Sequence, residues 1–206
     1  MTKKFFDYDE GSHFLSCLNL IDANLRVTEK DETNLRWIIV GLHDALYALL
    51  IEKLVKTDGF GIYPDTFEKE VRSFYSKGHS SGSREYRRLN ERSVKRNIAG
   101  LPELLSRANL KSGAKIVHTG FSACDQPTRG LSKLKQMRNF FSHPRPGLNA
   151  YDRTFVSEAV RSTIEVIEEL RGLSSNARPR HNSADAEVLM ISIRTRAETW
   201  LGEGGG

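Results

Sequence analysis

The stretch Gln136-Met137-Arg138-Asn139-Phe140-Phe141-Ser142-His143-Pro144-Arg145-Pro146 sets an arginine, an amide and a histidine among aromatic residues and then stops at two prolines. Leu131, Leu134, Met137, Phe140 and Phe141 recur at helical spacing, so the run reads as a buried helix face that Pro144 and Pro146 end. Asn139 and His143, at i and i+4, share a face of that helix, and Arg138 lies beside them. Polar groups that border a core cost stability unless they are paired or line a cleft.

Outward from this stretch the chain reads as helices. Phe14, Leu15, Leu18, Ile21, Ala23 and Leu25 predict a helix from Gly11 to Val27 with Ser12 as N-cap. A second runs from near Thr33, whose hydroxyl would cap it, to about Lys56, where Asp58-Gly59-Phe60-Gly61 ends it. Apolar residues wrap most of its circumference, which marks a helix at the centre of a bundle. Tyr63-Pro64-Asp65 opens a third, carrying Phe67, Val71, Phe74 and Tyr75, before the loop from Lys77 to Ser83.

Arg84, Arg87, Arg88, Arg92, Lys95 and Arg96 then alternate with Tyr86, Leu89, Val94 and Ile98 as a basic amphipathic helix. Such a run is either a solvated face or a surface for phosphates. Pro102 to Leu110 predicts a short helix, and Lys111 to Gly130 reads as loop, with a candidate strand at Lys115-Ile116-Val117-His118. Phe155, Val156, Val160, Ile164, Ile167 and Leu170 mark a long helix from Asp152 to Leu173. Residues 174–183 have linker composition, Val188 to Ile193 fits a strand or a helix, and the glycine-rich terminus reads as frayed. The expected fold class is all-α.

Composition narrows the function. The 206 residues are 38% hydrophobic and 28% charged, the balance of a chain that folds, and a net charge of +5 is compatible with an anionic partner. Cys17 and Cys124 are too few for a disulfide framework or a thiolate metal site, so a reducing cytoplasm is the expected setting. The apolar run Trp37 to Leu42, extended by Ala45 to Leu50, is broken by His43 and Asp44 and falls short of the ~20 residues of a membrane span. Lys3 and Lys4 are followed by acids and not by the apolar stretch of a signal peptide. His13, His79, His118 and His181 have no ligand partner at metal spacing, and Gly59-Phe60-Gly61 is not a phosphate loop, so neither metal nor cofactor is expected.

Arg138, Asn139 and His143 suit phosphodiester chemistry. A histidine moves a proton near neutral pH, an arginine holds two phosphate oxygens in a planar fork, and an asparagine orients either. In RNA the 2′-hydroxyl is an internal nucleophile, so cleavage to a 2′,3′-cyclic phosphate needs positioning, proton transfer and charge neutralisation but no metal. The structural alternative is a histidine that caps a helix C-terminus and an arginine that pairs with Glu165 or Glu168. His43 reads either as a buried histidine with its own partner or as a group supporting the site. Tyr86 beside Arg87 and Arg88 reads as packing or as a base-stacking residue.

Arg138-Asn139-Phe140-Phe141-Ser142-His143 resembles the signature of the HEPN superfamily: arginine, a polar residue, three variable residues, histidine. The segment Leu35 to Leu46 is similar to the opening core helix of bacterial members. The resemblance spans about residues 30 to 173, and only the Arg138 to His143 stretch is specific. It implies an antiparallel HEPN-like bundle over residues 1–173, lengthened between about 60 and 130, with residues 174–206 a linker and C-terminal extension.

It further implies a metal-independent endoribonuclease in a bacterial defence or toxin-antitoxin role, with His143 as general acid or base, Arg138 as phosphate ligand and Asn139 beside it. A homodimer with both motifs facing one cleft, RNA as substrate, and an antitoxin or defence-system partner would follow. Family members silenced on a tyrosine two residues past the histidine have their counterpart here in Arg145, so that mode of control is not expected. Arg145 is either a further phosphate contact or a solvated loop residue. Arg84, Arg87 and Arg88 are the remaining RNA-binding candidates. The competing expectation is a non-catalytic HEPN-like module that binds RNA, a nucleotide or a protein.

Overall fold

The computed structural model describes residues 9–28, 31–118, 120, 123–142, 151–173 and 184–202. Among them the chain forms eight α-helices and no strand, so the fold is all-α. Helix α1, Glu10–Thr28, begins at Asp9 and not at Ser12: Ser12 N–H donates to Asp9 Oδ1 at 2.8 Å. Ser12 is already inside the first turn, where its own amide needs an acceptor. A 3-10 turn, Glu32–Asn34, precedes α2, Leu35–Leu54. The amide and hydroxyl of Thr33 both donate to Asp31 Oδ1, at 3.0 and 2.6 Å, so Asp31 organises this start and Thr33 caps nothing.

Helix α2 is the centre of the bundle. Ile38, Ile39, Leu42, Ala45, Leu46, Leu49 and Leu50 are buried around it, and α1, α5, α6 and α7 pack on its sides. The chain then turns at Gly61, where φ is +105° and a Cβ would lie 2.4 Å from Leu54 O. Only glycine fits there. Helices α3, Asp65–Ser76, and α4, Arg84–Val94, have a small core of their own, built from Phe60, Phe67, Val71, Phe74 and Leu89 with Tyr63 and Tyr86 against it. Ser83 Oγ caps α4 by accepting from Tyr86 N–H at 3.1 Å. The basic helix ends at Val94, short of the exposed Ile98.

Helix α5, Leu101–Ala108, ends at Asn109 in the left-handed region. Arg107 ties it to the preceding turn through Gly61 O at 3.0 Å and Asp65 at 2.7 Å. Residues 115–118 lie in the loop as expected, and the candidate strand there is not formed. Ala114 and Ile116 are buried, but Val117 N–H donates to Ser132 Oγ at 3.0 Å in place of a neighbouring strand. Helix α6, Gln126–Ser142, starts well before Leu131 because Asp125 caps it, its Oδ1 accepting from Thr128 N–H at 3.1 Å. Gly130, expected as loop, lies inside α6.

Helix α7, Arg153–Arg171, is capped by Asp152, which accepts from Phe155 N–H at 2.7 Å. It runs antiparallel to α6, with Ser162 Oγ donating to Gln126 O at 3.2 Å at one end and Tyr151 against Phe140 and Phe141 at the other. At Gly130 the two backbones nearly touch: a Cβ there would lie 2.4 Å from Glu158 O and 2.2 Å from Ser162 Oγ. Residues 188–193 are helical, inside α8, Ala184–Gly202. Its Ala186, Met190, Ile193 and Ala197 join the main core, so the C-terminal extension packs on the bundle. Ser192 Oγ donates to Asp22 at 2.6 Å, and Arg171 pairs with Glu187 at 2.7 Å.

Lys53 Nζ donates to Leu173 O at 3.0 Å, so the C-terminal ends of α2 and α7 meet at one end of the bundle. The α3–α4 pair is joined to that end. The C-terminal turns of α6 therefore lie at the other end, beside the start of α7. Among the described residues no helix is long and apolar enough to cross a membrane.

Two outcomes follow from these contacts. Gly130→Ala should destabilise the protein by about 1–3 kcal/mol in urea denaturation, against the gain of roughly 0.5–1 kcal/mol usual for this change within a helix; a stabilised variant would contradict the close approach. Burial alone would raise the Asp22 carboxyl, but hydrogen bonds from Ser192 and Arg26 and the charges of Arg26 and Arg196 outweigh it and hold the group below the ordinary carboxylate range. Its stabilising effect is thus full above the unfolded value of about 3.9 and lost as pH falls through the lower folded value. Wild type should lose more stability on acidification than Asp22→Asn, and equal acid slopes would remove Asp22 from the α1–α8 contact.

Candidate active site

Arg138 falls one turn past Leu134 and two past Leu131, on the stripe of α6 that packs into the bundle. The side chain is half-buried, and its Nε is fully buried with no hydrogen-bond partner among the described residues. Such an orphaned N–H costs about 1–3 kcal/mol, so the position calls for an explanation. The expected alternative, a pair with Glu165 or Glu168, is not formed among the described residues: Glu168 pairs with Arg194. Asn139 is exposed on the adjoining face. His143 and Arg145 lie outside the described residues.

Phe140, Phe141, Tyr151 and Phe155 form the wall beside this turn, with ring centroids 5.2–6.4 Å apart. Burial among them raises the Tyr151 phenol. Helix α6 contains four cations and no acid. Two of these share one carboxylate, Arg129 and Lys133 lying 2.6 and 3.0 Å from Glu158, so only one of the two charges is balanced there. Burial would raise the Glu158 carboxyl, but these two partners outweigh it and hold it below its ordinary value. Lys135 and Arg138 have no carboxylate at ion-pair distance among the described residues. The positive charge left on α6 therefore collects toward its C-terminal half.

His43 has local partners. Its Nδ1 is 2.9 Å from Asp44 Oδ1 and its ring stacks on Tyr47, whose hydroxyl donates to Ala99 O at 3.0 Å. No contact among the described residues joins it to Arg138. Burial, with the nearby Asp44 charge, pushes the Cys17 thiol up to about 11, which favours its protonated form at neutral pH. Among the described residues no three His, Cys, Asp or Glu side chains gather as a metal-holding group.

Arg84, Arg87 and Arg88 are exposed on α4, within the separate α3–α4 core, and are not brought to Arg138. Between Asp65 and Arg96 nine lysines and arginines face five acids, a net +4 of the chain's +5. A groove of about 520 Å³ between α3 and α4 is lined by Lys69, Phe74, Lys77, His79 and Arg88, with Arg92 paired to Glu70 at 2.5 Å. The charge excess is therefore a local feature of this helical pair, at the end of the bundle away from Arg138. Tyr86 is a packing residue, half-buried against Phe60 and Phe74.

Two residues escaped sequence reasoning. Lys135 stands on the Arg138–Asn139 side of α6, and its Nζ lies 3.4 Å from His118 Nδ1. The spacing of Lys135 from Arg138 was a usable signal once the helix was known to begin at Gln126, whereas His118 sits in a segment with no periodicity at all. Against protein-family models, curated proteins and solved structures the chain finds no match.

Arg138→Met keeps a flexible stem as far as the Nε position and removes the guanidinium with its orphaned N–H. Stability in urea should stay level or rise by about 1–2 kcal/mol. A loss of about 3 kcal/mol or more would reveal a structural ion pair for the guanidinium.

Proposed function

We propose that the protein is a metal-independent endoribonuclease of the HEPN type that cleaves RNA by attack of its own 2′-hydroxyl. The observation that supports this most is Arg138: a half-buried side chain whose Nε has no partner among the described residues, on the helix that also carries Asn139. A half-buried guanidinium with no carboxylate at ion-pair distance among the described residues is suited to an anionic ligand, and its planar fork suits a phosphodiester.

In this scheme the 2′-oxygen forms a bond to phosphorus as the bond to the 5′-oxygen breaks. A base takes the proton of the 2′-hydroxyl and an acid delivers one to the 5′-oxygen, leaving a 2′,3′-cyclic phosphate and a 5′-hydroxyl. Arg138 neutralises charge that develops on the non-bridging oxygens. His143 moves one proton, and a homodimer with two motifs on one cleft would supply the second group. Asn139, exposed one residue along, would orient substrate. A cytoplasmic setting and a role in bacterial defence or toxin-antitoxin control belong to the same proposal.

The charge excess of the α3–α4 pair favours a second reading, a non-catalytic RNA-binding module. Cleavage kinetics separate the two. His143→Ala should lower the rate of RNA cleavage by about 10²- to 10⁴-fold with an unchanged melting temperature. A variant that cuts at the wild-type rate removes His143 from the chemistry, and one that fails to fold assigns it a structural role.

A further inference from the structure

Lys135 is three residues before Arg138 and four before Asn139, so the three share one side of α6 within a single turn. Its partner comes from elsewhere in the chain. His118 is carried by a segment pinned to α6, where Val117 N–H donates to Ser132 Oγ at 3.0 Å and Ser132 donates on to Thr128 O at 2.7 Å. Ala114 and Ile116 anchor the same segment in the core. His118 is thereby positioned against Lys135 by buried contacts, although its ring is exposed.

An ammonium can only donate, so its 3.4 Å contact with His118 Nδ1 fits the tautomer in which that nitrogen is bare and Nε2 carries the proton. The pair then offers ammonium N–H groups and an imidazole N–H, all of them donors. One turn earlier Arg129 and Lys133 are held by Glu158, whereas no described carboxylate serves Lys135. A lysine on a helix surface ordinarily extends its ammonium into water. This one is partly withdrawn beside an imidazole, and burial lowers its pKa. With the half-buried Arg138 on the next turn, this side of α6 carries two cations that no described carboxylate serves.

We infer that Lys135 and His118 form a second phosphate-binding subsite, which grips the phosphodiester next to the one bound at Arg138. The inference rests on the ribonuclease reading for the identity of the ligand. Three residues, a rise of about 4.5 Å, separate the two positions along α6, and the reach of the two long side chains extends that step to the spacing of neighbouring phosphates in a single strand. Lys135 and His118 are positioning residues here: they set the strand's register so that the scissile phosphate meets Arg138.

The test is binding of a 2′-O-methyl RNA oligonucleotide, which has no free 2′-hydroxyl and is not cleaved, measured by fluorescence anisotropy over a range of salt. Melting curves accompany Lys135→Gln, Lys135→Arg and His118→Gln. Lys135→Gln should bind about five- to tenfold more weakly and lower the slope of log affinity against log salt by about 0.7, one single-strand phosphate contact. Lys135→Arg should keep most of the affinity, and His118→Gln should lose a smaller part. On cleavable RNA, Lys135→Gln should raise KM more than it lowers kcat.

Wild-type affinity and slope in Lys135→Gln would overturn the subsite, and ongoing cleavage in the same variant would leave the ribonuclease reading intact. Lys135-dependent binding without any cleavage by wild type would keep the subsite and sink the ribonuclease reading. Absence of RNA binding by wild type overturns both.

Discussion

At Gly130 the backbones of α6 and α7 come so close that no side chain fits between them. That contact fixes how α6 is rotated and how far it slides along α7, and every residue further along α6 inherits its direction. Leu131, Leu134 and Met137 enter the core, and Arg138, in phase with them, is carried onto the same stripe. The arginine is buried at its Nε because the helix can turn no other way without opening the Gly130 contact. Asp125 at the start of α6 and the aromatic wall of Phe140, Phe141, Tyr151 and Phe155 hold the two ends in that register.

Charge is divided unequally over this frame. Glu158 pairs with Arg129 and Lys133 and balances one of their two charges, and beyond them Lys135 and Arg138 have no carboxylate among the described residues. A second positive region belongs to α3 and α4, which stand on a separate small core at the other end. From Gln126 to Arg138 alone the rise is about 18 Å, so the two regions do not act on one phosphate. A strand of RNA long enough to touch both would run along the bundle; a short one would touch only α6.

Most helices were legible because burial imposes a period on the sequence. The apolar wrap of α2 announced a central helix, and Asp152 with the stripe from Phe155 to Leu170 announced α7. Caps were harder, since Asp9 and Ser12 are both capping types and only the geometry assigns the acceptor to Asp9. Gly130 misled because a glycine that ends a helix and one that admits a neighbouring helix are the same letter. Residues 111–118 had no readable pattern, because they are held by single contacts to distant residues such as Ser132 and Glu169 and not by a ladder. Helix α8 was ambiguous because Val188 and Ile191 are apolar yet 65% and 59% exposed, which blurs its period. In the site, Arg138 and Asn139 could be read from the motif, and Lys135 only after the full length of α6. His118 arrives through a tertiary contact that no local spacing encodes.

In the proposed reaction RNA itself supplies the nucleophile. The direct measurement is the chemical nature of the ends produced when the purified wild-type protein is incubated with labelled RNA in EDTA. The account predicts fragments bearing 2′,3′-cyclic phosphate and 5′-hydroxyl ends, formed at the same rate with and without the chelator. Fragments with 5′-phosphate ends, or cleavage that stops in EDTA, would contradict it.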